Sequence, residues 1–81
     1  MSNVRDRIVD AMMYCGWSYV EVCGNTLYFT EGGVVDMERT IFWLNEELAV
    51  KKFMINAEEE PDEDGIENMF MNLTVVLKEG R

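Results

Sequence analysis

The first fifteen residues place apolar side chains at helical period. Val4, Ile8, Ala11, Met12 and Cys15 recur at i, i+4, i+7, i+8 and i+11, a single stripe on one face of a helix. Ser2 or Asn3 suits its N-cap, Asp6 lies near the positive end of the helix dipole, and Gly16 is a natural stop. The period then changes to that of strands. Residues 17–22 and 26–30 are rich in strand formers, and Gly24-Asn25 between them suits a two-residue primed turn that needs positive φ. Such a turn sets Val22 against Leu27, Val20 against Phe29, Glu21 against Tyr28 and Tyr19 against Thr30. Val20, Val22, Leu27 and Phe29 then form an apolar side. Trp17, Tyr19 and Tyr28 share the opposite, outward side with Glu21 and Thr30.

Glu31-Gly32-Gly33 interrupts this hairpin, and a second helix is expected after Asp36 as N-cap, with Glu38 in its first turn. Its stripe is Met37, Ile41, Leu44 and Leu48, broadened by Phe42 and Trp43, and it fails where Lys51 and Lys52 occupy the next inward positions. Beyond it, residues 53–56 and 69–78 read as strands. Met69, Met71, Leu73, Val75 and Leu77 alternate with Asn68, Phe70, Asn72, Thr74 and Val76, the pattern of a half-buried strand. The same segment also fits a helix through Ile66, Met69, Phe70, Leu73 and Leu77, preceded by Pro61 and acids. The β-branched run Thr74-Val75-Val76 favours the hairpin. The expectation is therefore one α+β domain over residues 1–81, in αββαββ order: a four-stranded antiparallel sheet with two helices on one face and an acidic loop at 58–67. The alternative is αββααβ with a short third helix.

Composition narrows the functional classes. The chain has 81 residues, 16 acidic and 7 basic, no histidine, a net charge of −9, and is 48% hydrophobic. That apolar fraction excludes an acidic disordered tail, which cannot bury enough surface to offset its chain entropy. No run approaches the ~20 apolar residues of a membrane helix, and the N-terminus lacks the layout of a signal peptide, so the expected location is cytoplasmic, with no membrane partner. Seven scattered cations make no basic footprint, which argues against direct nucleic-acid binding. A chain this short buries only about 60–65% of its unfolded surface, so added stability is expected from a disulfide, a metal or a partner. Cys15 and Cys23 read as reduced thiols, and a zinc site lacks ligands. A partner surface remains, including a homodimer through the outward aromatic side, and the seven methionines suit adaptable contacts.

Catalytic chemistry finds little support. Without histidine no Ser–His or Cys–His pair can form, Ser2 and Ser18 occupy no strained turn, and Gly32-Gly33 lacks the lysine and spacing of a phosphate loop. No enzyme activity and no cofactor are expected. Glu60, Asp62, Asp64 and Gly65 match positions 1, 3, 5 and 6 of a calcium loop, but position 12 is Met71 where a bidentate glutamate is required. The charge itself is localised. Residues 58–67 hold seven acids and no base, a charge of −7, while the remainder has nine acids and seven bases, or −2. In size and charge the chain resembles small phage-encoded anti-defence proteins such as anti-CRISPRs, and nuclease immunity proteins. That resemblance implies a non-enzymatic inhibitor occupying a basic surface of a nucleic-acid-handling protein. Its candidate contacts are Glu58, Glu59, Glu60, Asp62, Glu63, Asp64 and Glu67, with an aromatic anchor from Trp17, Tyr19 or Tyr28. The alternative is a small dimeric adaptor or chaperone-like module whose acidic loop serves only solubility.

Overall fold

The computed structural model describes residues 4–61 and 67–78. The elements are α1 (Val4–Tyr14), β1 (Trp17–Cys23), β2 (Thr26–Glu31), α2 (Met37–Glu46), β3 (Val50–Pro61) and β4 (Glu67–Leu77). All four strands form one antiparallel sheet in the order β1-β2-β4-β3. This is the expected αββαββ α+β fold, and β4 is a strand throughout rather than the alternative third helix.

The first helix follows its stripe. Ile8, Met12 and Cys15 are buried, and together with Leu44 of α2 they meet Leu27, Phe29, Leu73 and Val75 from the central strands β2 and β4. Both helices therefore lie on one face of the sheet. Each fully buried aliphatic or aromatic side chain here contributes about 1.5–3 kcal/mol. The candidate caps Ser2 and Asn3 lie outside the described residues. Gly16 ends α1 with φ 106°, and Gly24 opens the β1–β2 turn with φ 61°. Since no described non-glycine residue has positive φ, Asn25 stays in the ordinary region, which is the type II′ pattern of φ signs.

The second helix is capped as expected, with the Asp36 carboxylate accepting from Arg39 N–H at 3.1 Å. Its inward face differs from the apolar stripe. Thr40 and Leu44 are buried, whereas Ile41 is exposed, and Leu48 lies beyond the helix and is 82% exposed. The helix is rotated toward Thr40 because this hydroxyl accepts the Trp17 indole N–H at 3.0 Å and donates to Asp36 O at 2.8 Å. A polar residue thus replaces an isoleucine at the core, with every polar atom satisfied.

The two helices run antiparallel and are tied at both ends. Arg39 lies over the Tyr14 ring, 5.2 Å from its centroid. At the other end Glu47 accepts from Arg7 at 2.9 Å (Nε) and 2.6 Å (Nη2), and from Ala49 N–H at 3.1 Å. Partial burial pushes the Glu47 carboxyl up, but the Ala49 and Leu48 N–H groups and the Arg7 guanidinium outweigh it and hold it below its ordinary value of 4.5. A carboxylate lowered in the folded state stabilises fully above its unfolded pKa and loses that contribution as pH falls through the folded one. Glu47→Gln should therefore be less stable than wild type near neutrality. The difference should shrink as denaturation midpoints are followed downward through pH 4.5 and below; a constant difference across that range would contradict this role.

Candidate interaction surface

The surface is organised by two irregularities of the sheet. The first is a bulge in β1. Glu21 pairs with Tyr28 and Val22 with Leu27 as the turn predicts, but Tyr19 pairs with Phe29, so Val20 is the extra residue. An extra residue reverses side-chain alternation for everything before it. Trp17 and Tyr19 therefore belong to the helix side, and their expected outward placement is corrected. Trp17 is 2% exposed, in the core. Tyr19 is 38% exposed and sits edge-on to Phe29, with ring centroids 5.7 Å apart. Tyr28 alone of the three lies on the open face with Glu21, and Val20, expected inside, is 53% exposed. The gain is clear: the largest apolar ring is buried with its N–H satisfied, and only a valine is exposed in exchange.

The second irregularity is the length of the β3–β4 hairpin. Pairing between β2 and β4 stops at Thr30 and Asn72, and the next β4 amide, Met71 N–H, is taken by the Glu31 carboxylate at 3.0 Å. Among the described residues, β3 and β4 continue without a third strand from Ala57↔Met71 through Glu58↔Phe70, Glu59↔Met69 and Glu60↔Asn68 to Pro61↔Glu67. At ~3.3 Å per residue these five pairs make a two-stranded arm about 16 Å long. The molecule measures 50 × 24 × 20 Å.

The arm carries Glu58, Glu59, Glu60 and Glu67, so this part of the acidic segment is strand rather than the expected loop. Asp62, Glu63 and Asp64 lie outside the described residues. The structure thus groups four of the candidate acids on one arm and disperses the three aromatics among the core, the β1 edge and the open face. Two surfaces escape sequence reasoning. On the open face a shallow hollow of about 330 Å3 is lined by Val20, Glu21, Tyr28, Asn56, Asn72 and Thr74. On the helix side Arg7, Phe42, Trp43 and Leu48 border another of about 390 Å3. Phe42, expected to broaden the inward stripe of α2, is 67% exposed, because the Thr40-centred rotation turns it outward.

Both thiols are free, Cys15 buried and Cys23 exposed. Among the described residues no group of three or more Cys, Asp or Glu side chains is arranged to hold a metal ion, and no helix is long and apolar enough to cross a membrane. Comparison with protein-family models, with curated proteins and with solved structures found no match.

Proposed function

We propose that this protein is a non-enzymatic inhibitor that inserts its acidic arm into a basic groove of a nucleic-acid-handling protein. The observation that carries this reading is the coincidence of shape and charge: the hairpin outruns β2 over the strand ends that hold Glu58, Glu59, Glu60 and Glu67. Phosphate-binding clefts concentrate lysine and arginine, and a narrow ribbon of carboxylates on a nearly neutral body can enter such a cleft, steered by long-range attraction. The resemblance in size and charge to phage anti-defence and immunity proteins points the same way.

The test is binding to a basic nuclease or DNA-binding protein captured at low salt. Replacing Glu58, Glu59, Glu60, Glu63 and Glu67 by Gln, and Asp62 and Asp64 by Asn, should weaken binding at least about hundredfold, since close interfacial charge pairs couple by ~1.5 kcal/mol or more each. Wild-type affinity should fall steeply with added salt. Unchanged affinity in the neutralised variant would overturn the reading. If Tyr28→Ala abolished binding instead, the open sheet face and an adaptor role would replace it.

A further inference from the structure

β3 is an outer strand, so among the described residues one of its edges has no neighbouring strand. Which amides point out of that edge follows from β4. Leu77 N–H donates to Asn25 O and Met71 N–H to the Glu31 carboxylate, so odd-numbered residues of β4 turn their backbone groups toward β2. Their register partners Phe53, Ile55 and Ala57 therefore form the non-hydrogen-bonded pairs with β4 and turn their own N–H and C=O groups outward.

From Lys51, the extra residue of a bulge between Val50 and Lys52, to Glu59 this edge reads two lysines, five uncharged residues and two glutamates. We propose that a second copy of this chain pairs with it antiparallel, about a two-fold axis at Ile55, to make one continuous sheet. In that register Lys52 stands opposite the partner's Glu58 and Phe53 opposite the partner's Ala57, each repeated by symmetry, with the bulged Lys51 next to the partner's Glu59. Phe53, Ile55 and Ala57 supply the hydrogen-bonded pairs. Lys52 and the partner's Glu58 form a non-hydrogen-bonded pair, where side chains come closest. Two-fold pairing permits only steps of two in register. An axis at Met54 sets Lys52 against Asn56, and one at Asn56 sets Lys52 against Glu60 but leaves Glu58 against Met54 and Glu59 against Phe53 and brings Pro61, which has no N–H to give, opposite Lys51. The Ile55 axis alone opposes Lys52 to a glutamate while keeping Pro61 out of the paired segment.

Two features of the fold agree with this occupant. A recess of about 310 Å3 between α2 and the start of β3, lined by Leu44, Asn45, Glu47 and residues 50–53, lies where the partner's residues 57–59 pass. The arm is also only two strands wide, which is marginal in water, and the partner's β3 supplies its third strand. Pro61, which has no N–H to give, falls just past the paired segment. The pairing shares Glu58 and Glu59 with the acidic arm, but it is read from the oligomeric state of the chain alone, so it can fail while the basic-target reading stands.

Sedimentation equilibrium tests the pairing. The wild-type chain should dimerise, and K51E/K52E or E58K/E59K should each weaken the dimer at least about tenfold, because the two Lys52–Glu58 pairs turn repulsive together with the neighbouring Lys51 and Glu59 charges. An equimolar mixture of these two variants should restore a dimer, and so should the chain carrying all four changes. A57P, which removes an outward N–H at an edge position that tolerates proline, should also prevent pairing while circular dichroism shows a folded chain. A wild-type chain monomeric up to its solubility limit would overturn the proposal. So would a dimer indifferent to either charge reversal, or a mixture that fails to restore it.

Discussion

Trp17→Ala is expected to lower the thermal midpoint by at least about 12 °C, a larger effect than any other single substitution proposed for this chain. Truncating a buried tryptophan costs about 3–5 kcal/mol, and in a domain of this size each kcal/mol moves the midpoint by about 4–8 °C. A domain of 81 residues has roughly 4–12 kcal/mol in total, so the variant loses a large share of it. The position explains the cost. The indole is buried in the core cluster, and its N–H donates to Thr40, whose hydroxyl donates to Asp36 O, while Asp36 N–H donates to Cys15 O at 2.8 Å. One chain of hydrogen bonds thus joins the end of α1, the start of β1 and the first turn of α2. Thr40→Val keeps the shape but strands the buried indole N–H, for a smaller loss of about 1–3 kcal/mol. Thermal unfolding followed by circular dichroism ranks the two variants. A Trp17→Ala midpoint within a few degrees of wild type would show that this ring is not a core anchor.

Gly16→Ala should be the second most damaging change, and Gly24→Ala its control. At φ 106° an alanine is strained in itself, and its Cβ would overlap the carbonyl oxygen of Val34 while lying 3.0 Å from Val34 C and from Val35 Cα. Those are backbone atoms, so no rotamer change relieves the contact. Gly16 O also accepts from Gly32 N–H at 3.1 Å, which holds the glycine in place. Strain of about 1–3 kcal/mol is expected from the backbone alone, with the overlap added. Gly24 has φ 61°, and a methyl group there would meet nothing within 4 Å, so its alanine variant should lose only about 1–2 kcal/mol. Chemical denaturation of the pair measures the difference. Equal losses would mean that the Val34 segment yields freely.

Most elements were legible because local rules governed them. The α1 stripe, the Asp36 cap, the Gly24-Asn25 turn and the alternation along β4 each depend on neighbours a few residues away, and each appears where the pattern sets it. The faces were less legible. For α2, apolarity pointed to Ile41, but the acceptor needed by a tryptophan 23 residues earlier turned Thr40 inward. For β1, alternation assumed an unbroken register, and one bulged residue exchanged the surroundings of Trp17 and Val20. The acidic candidates divide in the same way. Their clustering is plain in the chain, but their placement on a two-stranded arm depends on where β2 ends relative to β4.

The amino-acid sequence by itself determined the fold class, the order of the first four elements, the missing catalytic histidine and the concentration of charge in residues 58–67, because these rest on composition and short-range periodicity. Only the tertiary structure decided which aromatic is buried, which helix face turns inward, and how far the β3–β4 hairpin extends beyond its neighbour. Those outcomes are settled by partners distant in the chain. A buried N–H must find an acceptor, and a strand ends its pairing where its neighbour ends.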